Sequence, residues 1–381
     1  MDKGTINRIG AIIQKEFKEI IRSPLYLLLA HFVPLALYLV FGFGLSLDVE
    51  HIPTAFLDLD RTQTSRQFID GLIKTKYFSL TREAQNNREL VELLKKGAIR
   101  LGVIIPPQFQ KRLRQDLASP VQVLVDGTYP YRGLVTKNYL TAYLASFNRG
   151  LIQKWLKRRG LTNVHLQPIK LETRFLYNES LISSFSLVPG LLVVVLMMNP
   201  AIMAAIAIVR EKDYGTIYNI YASPISRWEF LTGKLIPYYL LNLVNILILF
   251  LLSITLFGVP FKGSFLLLLL GSLLYIFTTT GMGLIISAFT RSMVAAQIVT
   301  VIITVIPSFL YSGLFMPVSN LGLEGEIEAH LFPAMYYMKI VQGTYSKVIG
   351  LKEMAMNYLV LLIYGITLFF LGLVLFKKRE G

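Results

Sequence analysis

The segment REKDYGTIYNIYASPISRWEFLTGK, Arg210 to Lys234, places Arg210, Glu211, Lys212, Asp213, Arg227, Glu229 and Lys234 between two strongly apolar runs of a 381-residue chain. These residue types at this spacing suit ion pairing and docking better than bond making. A phosphate-cradling loop needs a glycine five residues ahead of its Gly-Lys pair and a hydroxyl after it, because backbone N–H groups and a magnesium-binding oxygen hold the phosphates. Here Gly233-Lys234 has Trp228 at the glycine position and Leu235 after it, so no nucleotide site of that kind is expected. Cysteine is absent and the four histidines are scattered. Neither a metal-ligand spacing nor a Ser, His and Asp constellation appears, and the chain is not expected to be an enzyme.

The remaining candidates are neutral polar residues inside apolar stretches: Asn199, Asn242, Asn245, Thr278, Thr279, Thr280, Gln297, Thr300, Thr304 and Ser308. Their simplest use is hydrogen bonding between membrane helices, each bond being worth ~0.6 to 2 kcal/mol. Asn199, Asn242, Asn245 and Thr279 are also the candidates for lining a translocation pathway. Gradient-driven transporters place ionisable groups at membrane depth to hold the coupling ion. In this chain's apolar stretches only His31 could titrate, so a secondary transporter is a poor reading.

These residues need a membrane to position them. The chain is 54% hydrophobic and only 16% charged, with a mean hydropathy of +0.55. Spanning a bilayer takes ~20 apolar residues in a helix, since every backbone polar group must be satisfied within the segment. Six stretches qualify: 24–45, 184–209, 235–257, 264–289, 293–316 and 357–376. The first follows a polar segment and contains Pro24 and Pro34, which suits an anchor better than a cleaved signal. Lys15, Lys18 and Arg22, then Arg210, Lys212, Arg227 and Lys234, then Arg291, then Lys377, Lys378 and Arg379 can all be cytoplasmic together. The expected fold is therefore an α-helical polytopic membrane protein of six transmembrane helices, both termini inside, with an inserted extracytoplasmic α/β domain.

That insert, 46–183, alternates strand-like and helix-like runs: IPTAFLDLD, TQTSRQFIDGLIKT, YFSLT, NNRELVELLKKG, RLGVIIP, PQFQKRLRQDLA and VQVLVDG. A long amphipathic helix over 131–159 and a returning strand in HLQPIKLETRF follow. The insert carries 21 Lys or Arg against 12 acids, which suits a solvated face near lipid headgroups or a surface for an anionic ligand. No basic stripe with interleaved aromatics is present, so nucleic acid is not an expected partner. Residues 1–23 carry Ile6, Ile9, Ile13, Phe17 and Ile20 at three- and four-residue steps, as expected for an amphipathic helix in the membrane plane. Residues 317–356 are apolar in pieces, broken by Pro333 and Gly343, and are expected to re-enter from outside.

Within 210–234 the spacing predicts a turn at Gly215, a short helix through Ile217, Ile220 and Tyr221, a break at Ser223-Pro224, and a capping box from Ser226 to Glu229. Arg210-Glu211-Lys212, Gly215-Thr216, Ser223-Pro224, Glu229 and Gly233-Lys234 closely resemble, in order and spacing, the membrane subunits of type-2 ABC exporters. KEFKEIIRSPLYLL is similar to that family's in-plane connecting helix, the insert to its large external domain, and FPAMYYMKIVQGTYSK to its external re-entrant hairpin.

The resemblance implies an inner-membrane permease subunit that binds no cofactor itself, with ATP and magnesium on separate ABC ATPase subunits. It also implies a second permease copy or paralogue in contact with membrane lipids, and a possible periplasmic adaptor and outer-membrane channel. It puts the ATPase-coupling contact at Glu211, Gly215, Thr216, Ile217, Tyr218 and Glu229, and the in-plane helix at Lys15, Glu16, Phe17 and Arg22. Two positions depart from the family pattern: Tyr218 replaces an acid, and Gln342 replaces an arginine. The neutral apolar spans favour a lipophilic or amphipathic cargo. The rival reading is a membrane-anchored receptor or scaffold whose external domain binds a ligand.

Overall fold

The computed structural model describes residues 3–45, 48–115, 117–128, 130–158, 177–178 and 182–376. The chain divides into two compact units, Leu47–Thr173 and a second composed of Met1–Ser46 with Arg174–Gly381. The larger unit begins with α1, Lys3–Arg22, which buries Ile9, Glu16 and Ile20 and exposes Ile6 and Ile21. Pro24 opens the four-residue helix α2, Pro24–Leu27, where a missing N–H costs nothing. A π-helical turn over Leu28–Phe32 and then α3, Val33–Gly44, follow directly.

The stretch expected as the first span is thus helical but divided, and no single helix in it has the length to cross a membrane. The division has a backbone cause. Val33 N–H donates to Leu28 across five residues, and Pro34 has no N–H to give the Ala30 carbonyl.

The smaller unit alternates β1, Ile52–Asp58; α4, Gln63–Ile73; β2, Phe78–Glu83; α5, Asn87–Lys95; β3, Leu101–Ile105; α6, Phe109–Arg114; β4, Gln122–Val125; and α7, Pro130–Arg158. The sheet order is β2-β1-β3-β4, with β1 parallel to both neighbours and β4 antiparallel to β3. Because β1 and β3 are covered on both faces, their side chains split between two cores. Phe56, Val103 and Ile105 pack with Phe68, Leu72 and Leu140, while Ala55, Leu57 and Ile104 pack with Leu90 and Ile99. Thr62 and Asn86 cap the helices that follow β1 and β2. The strand expected in HLQPIKLETRF lies outside the described residues.

In the larger unit the chain continues with α8, Ser184–Asp213; α9, Ile217–Ala222; α10, Arg227–Thr255; α11, Phe265–Phe289; and α12, Met293–Tyr311. It ends with α13, Gly322–His330; α14, Pro333–Gln342; and α15, Leu351–Leu375. Among the described residues five helices, α8, α10, α11, α12 and α15, are long and apolar enough to cross a membrane. α12 stops at Tyr311, ahead of the expected 316, because Gly313 turns left-handed at φ +89°. α15 starts at Leu351 rather than 357, since its polar first turn follows an extended Gly350.

α8 is the axis of this unit and is buried throughout its apolar length. α14 packs against α8, α11 and α15, with Tyr337 stacked on Tyr275 at 4.2 Å and its hydroxyl 2.6 Å from that of Ser272. α11 reaches α8 at Gly283, where any Cβ would collide with the Ala201 carbonyl.

Gly283→Ala should therefore lower the thermal unfolding midpoint, at a cost of roughly 1–3 kcal/mol of overpacking. Gly10→Ala, with nothing within 4 Å of the added carbon, should be neutral or stabilising by up to about 1 kcal/mol. Thermal unfolding of both variants in detergent checks the pair, and equal shifts would contradict the packing at Gly283.

Candidate coupling site

The last turn of α8 changes from apolar to Arg210-Glu211-Lys212-Asp213, and the first turns of α10 carry Glu229, Gly233 and Lys234. What joins these ends is a close helix crossing. A Cβ on Gly233 would lie 2.9 Å from Ile12 Cβ and 3.2 Å from the Ile9 carbonyl, so α1 lies directly on α10 at this point. The crossing aims Glu16 at the base of α10. Lys234 Nζ then sits 2.5 Å from Glu16 Oε1 and 2.6 Å from Glu211 Oε1.

Around this ammonium the charges close into a network. Arg210 Nη2 pairs with Glu16 Oε2 at 3.2 Å and Glu19 Oε2 at 2.6 Å, and Lys15 reaches Glu211 at 3.2 Å and Glu19 at 3.4 Å. Three carboxylates, Glu16, Glu19 and Glu211, face three cations, Lys15, Arg210 and Lys234, so the cluster is neutral. Tyr238 OH donates to Glu16 Oε2 at 3.1 Å, the Thr216 hydroxyl donates to Glu211, and the Arg210 guanidinium lies 4.8 Å from the Tyr26 ring centre.

Lys234 is 0% exposed, Glu16 1%, Glu211 3% and Arg210 7%, so each depends on its partners for the solvation it has lost. Oxygens of the three carboxylates lie within 4.8 Å of one another, close enough to share a cation. Lys234 and Arg210 fill that role. Burial alone would lower the pKa of Lys15, but attraction and hydrogen bonding to Glu211, with Glu19 and Glu16 beyond it, raise it above the ordinary 10.5. Its pairing is thus in place at neutral pH and is lost only as pH rises through that elevated value.

A second clamp lies one turn earlier on α10. Glu229 Oε1 accepts from Arg8 Nε at 3.0 Å and Nη2 at 2.5 Å. The other oxygen accepts from Ser226 N–H at 2.7 Å, completing the expected capping box with Ser226 Oγ 3.3 Å from Glu229 N.

Between the two charged ends the chain turns at Gly215, φ +72°, and forms α9. Ile217 buries itself among Ala204, Ile208, Phe230, Leu231, Leu235 and Leu284. Tyr218, one residue on, is 64% exposed, with its ring 6.0 Å from Tyr221 in edge contact. A cleft of about 170 Å³ beside it is lined by Lys212, Ile217, Tyr218, Tyr221 and Arg291.

The expected coupling residues therefore separate. Glu211, Ile217 and Glu229 face inward and hold the element, as does Glu16 on α1. Tyr218, Thr216, Lys15 and Arg22 are exposed, while Gly215 and Phe17 are half-buried. Lys234, Arg210, Arg8 and Tyr238 were not among the expected site residues; the available signal was the opposite charge on Glu16, Glu211 and Glu229, which needed partners.

The asparagines meet on another element. The Ala30 carbonyl, deprived of its helical donor by Pro34, accepts from Asn199 Nδ2 at 3.1 Å and Asn245 Nδ2 at 2.8 Å. Asn242 Oδ1 accepts from the same two amides at 2.8 and 3.3 Å. With both Asn245 contacts made through nitrogen, its oxygen accepts from His31 Nδ1 at 2.6 Å. Thr279 is not part of this group; it is buried and bonds to Ile276 in its own helix at 3.1 Å.

The model of the family described as ABC-2 family transporter protein matches residues 24–374. The chain belongs to the ABC-2 transporter family. This ABC-2 protein is 30% identical over 376 residues to the probable multidrug ABC transporter permease YbhS of Escherichia coli strain K12, covering 98% of this chain and 97% of that one. It is 23% identical over 341 residues to the probable multidrug ABC transporter permease YbhR of the same strain, covering 90% of each. The inner membrane transport permease YhhJ is 24% identical over 332 residues, covering 86% of each. With five long apolar helices among the described residues, this ABC-2 protein is a multi-pass membrane transport subunit, and its family implies ABC ATPase partners.

The network in this ABC-2 protein yields a test by charge balance. Lys234→Met leaves Glu16 and Glu211 facing each other in a buried site, a loss of about 3–5 kcal/mol. Adding Glu16→Gln restores neutrality and should recover part of that loss. Thermal unfolding and the yield of folded protein read both effects, and a double variant no better than the single would remove the network from the stability argument.

Proposed function

We propose that this chain is the membrane subunit of an ATP-driven exporter that moves a lipophilic or amphipathic compound out of the cytoplasm or inner membrane. Separate ATPase chains carry ATP and magnesium, and a second copy or close paralogue completes the permease pair. The observation that carries this reading is the buried neutral network, which makes α1, the end of α8 and the start of α10 one body while Tyr218 stands exposed on it. A push on the 210–222 segment is then passed to three helices together. The relatives YbhS and YbhR, named as probable multidrug ABC transporter permeases, support the substrate class.

In this reading the helical run 24–44 is the first of six spans, both termini and the 210–234 loop are cytoplasmic, and the unit Leu47–Thr173 is extracytoplasmic. Residues 317–356 re-enter from the external side. An external unit of this size also suits a periplasmic adaptor leading to an outer-membrane channel. Asn199, Asn242 and Asn245 line the pathway when their mutual bonds open.

Tyr218 takes the place of the family's acid as an aromatic anchor for the ATPase. Purification from native membranes should recover an ABC ATPase with the chain. In the reconstituted complex, Tyr218→Ala should lower the ATP hydrolysis stimulated by a lipophilic cationic dye about tenfold, the effect of losing one anchor, while thermal stability stays within about 0.5 kcal/mol. Recovery of a signalling protein and no ATPase would favour the receptor reading instead.

A further inference from the structure

The 210–222 segment borders two clefts that differ in charge. One is lined by Lys15, Arg22 and Arg210 together with Glu19 and Glu211, so cations and acids share its wall. The other, of about 170 Å³, is lined by Lys212, Ile217, Tyr218, Tyr221 and Arg291, two cations with no acid among them.

The fold sets both cations in place. Lys212 lies in the last turn of α8, and its Nζ donates to the Ser287 carbonyl of α11 at 2.7 Å. A neutral carbonyl takes one of the ammonium's three donors and cancels none of its charge. Arg291 is exposed in the short connection between α11 and α12. The acids on either side of Lys212 in sequence do not line the cleft. Asp213 Oδ2 accepts from Met293 N–H at 3.3 Å at the start of α12, and Glu211 is held by Lys234, Lys15 and Thr216.

An anion seated between Lys212 and Arg291 is attracted by both charges. A carboxylate suits the place, since a guanidinium offers it two parallel N–H donors and the Tyr218 hydroxyl can donate a further bond. A carboxylate carried by this chain at position 218 would occupy the cleft itself. Tyr218 leaves it to an acid from outside.

We infer that the cleft receives an aspartate or glutamate side chain of the ABC ATPase, held by Arg291 and Lys212 while the Tyr218 ring packs beside it. This rests on the exporter reading for the presence of the ATPase and adds the sign of the ATPase's charge at the contact. A lipid phosphate meets the same cations, but the cleft opens beside Tyr218, the exposed ring that the exporter reading gives to the motor. Exposed charges of this kind act on the rate and salt dependence of docking more than on its final strength.

The test uses the full chain in phosphatidylcholine nanodiscs, with the ATPase recovered from native membranes titrated onto it across a series of sodium chloride concentrations. Arg291→Gln should weaken binding about fivefold at low salt and flatten the salt dependence, whereas Arg291→Lys should retain most of both. Tyr218→Glu should bind about fivefold more weakly than Tyr218→Gln, because the new acid takes up the cations that the partner needs. That gap should shrink in the Arg291→Gln background. Equal binding by Tyr218→Glu and Tyr218→Gln, tighter binding by Tyr218→Glu, a gap that does not shrink, or an unchanged salt dependence for Arg291→Gln would each overturn the inference. An Arg291→Gln effect that disappears in nanodiscs containing phosphatidylglycerol would assign the cleft to a lipid headgroup and overturn it too. An ATPase that binds regardless of these charges refutes this inference alone, while recovery of no ATPase refutes the exporter reading beneath it.

Discussion

One ammonium group, that of Lys234, sets the terms for the cytoplasmic foot proposed for this bundle. A lysine with no exposed surface is tolerated only if its charge is matched at hydrogen-bonding distance, and Glu16 and Glu211 supply the match at 2.5 and 2.6 Å. Those two carboxylates come from helices far apart in sequence, so the pairing fixes three elements at once. The same pairing creates a second requirement, since one cation against two acids leaves an excess negative charge. Arg210 and Lys15 bring two positive charges, which offset that excess and the further charge of Glu19. Removing any member would unbalance the cluster, which makes the crossing of α1 over α10 a fixed joint.

The buried face of α10 extends this logic along the helix axis. Lys234, Tyr238, Asn242, Asn245 and Ser253 recur at helical spacing on it. Tyr238 touches Glu16 through its hydroxyl and accepts from Asn242 through its carbonyl at 2.8 Å, and Asn242 in turn accepts from Asn245 at 3.3 Å. A continuous chain of polar contacts therefore runs from the ion pairs to the Ala30 carbonyl left open by Pro34. Neutral amides suit this position: they satisfy a backbone acceptor inside an apolar bundle without the desolvation cost of a charge. The proline defect in α3 and the asparagines on α8 and α10 are two halves of one solution.

Much of this was legible in the sequence, and what was not has a physical cause. The alternation in residues 46–183 marked β1 to β4 because strand and helix periods differ and Thr62 and Asn86 are strong caps. The Ser226 and Glu229 box was legible for the same local reason. The divided run at 24–44 was hidden because hydropathy does not record a missing N–H. The ends of α12 and α15 were missed by several residues, since apolarity fades more gradually than backbone geometry changes at Gly313 and Gly350. At the coupling site the acids Glu16, Glu211 and Glu229 were expected, but the cations Arg8, Arg210 and Lys234 that pair with them were not. Which acid meets Lys234 depends on Gly233 letting α1 approach, a tertiary fact that local spacing cannot express.

The division of labour on the 210–234 segment follows from these constraints. A charge that docks a partner must be exposed and mobile, whereas a charge that joins helices must be buried and matched. Glu211 and Glu229 are committed to the second task, their oxygens taken by Lys234, Lys15, Thr216, Arg8 and Ser226. An acid at position 218 would open onto the cleft it shares with Lys212 and Arg291 and draw on those cations. Tyr218 avoids that competition, because an aromatic ring can contribute contact area without entering the charge balance. In the proposed docking of an ATPase at Tyr218, the exposed contact can then change while the buried neutral network beneath it stays as it is.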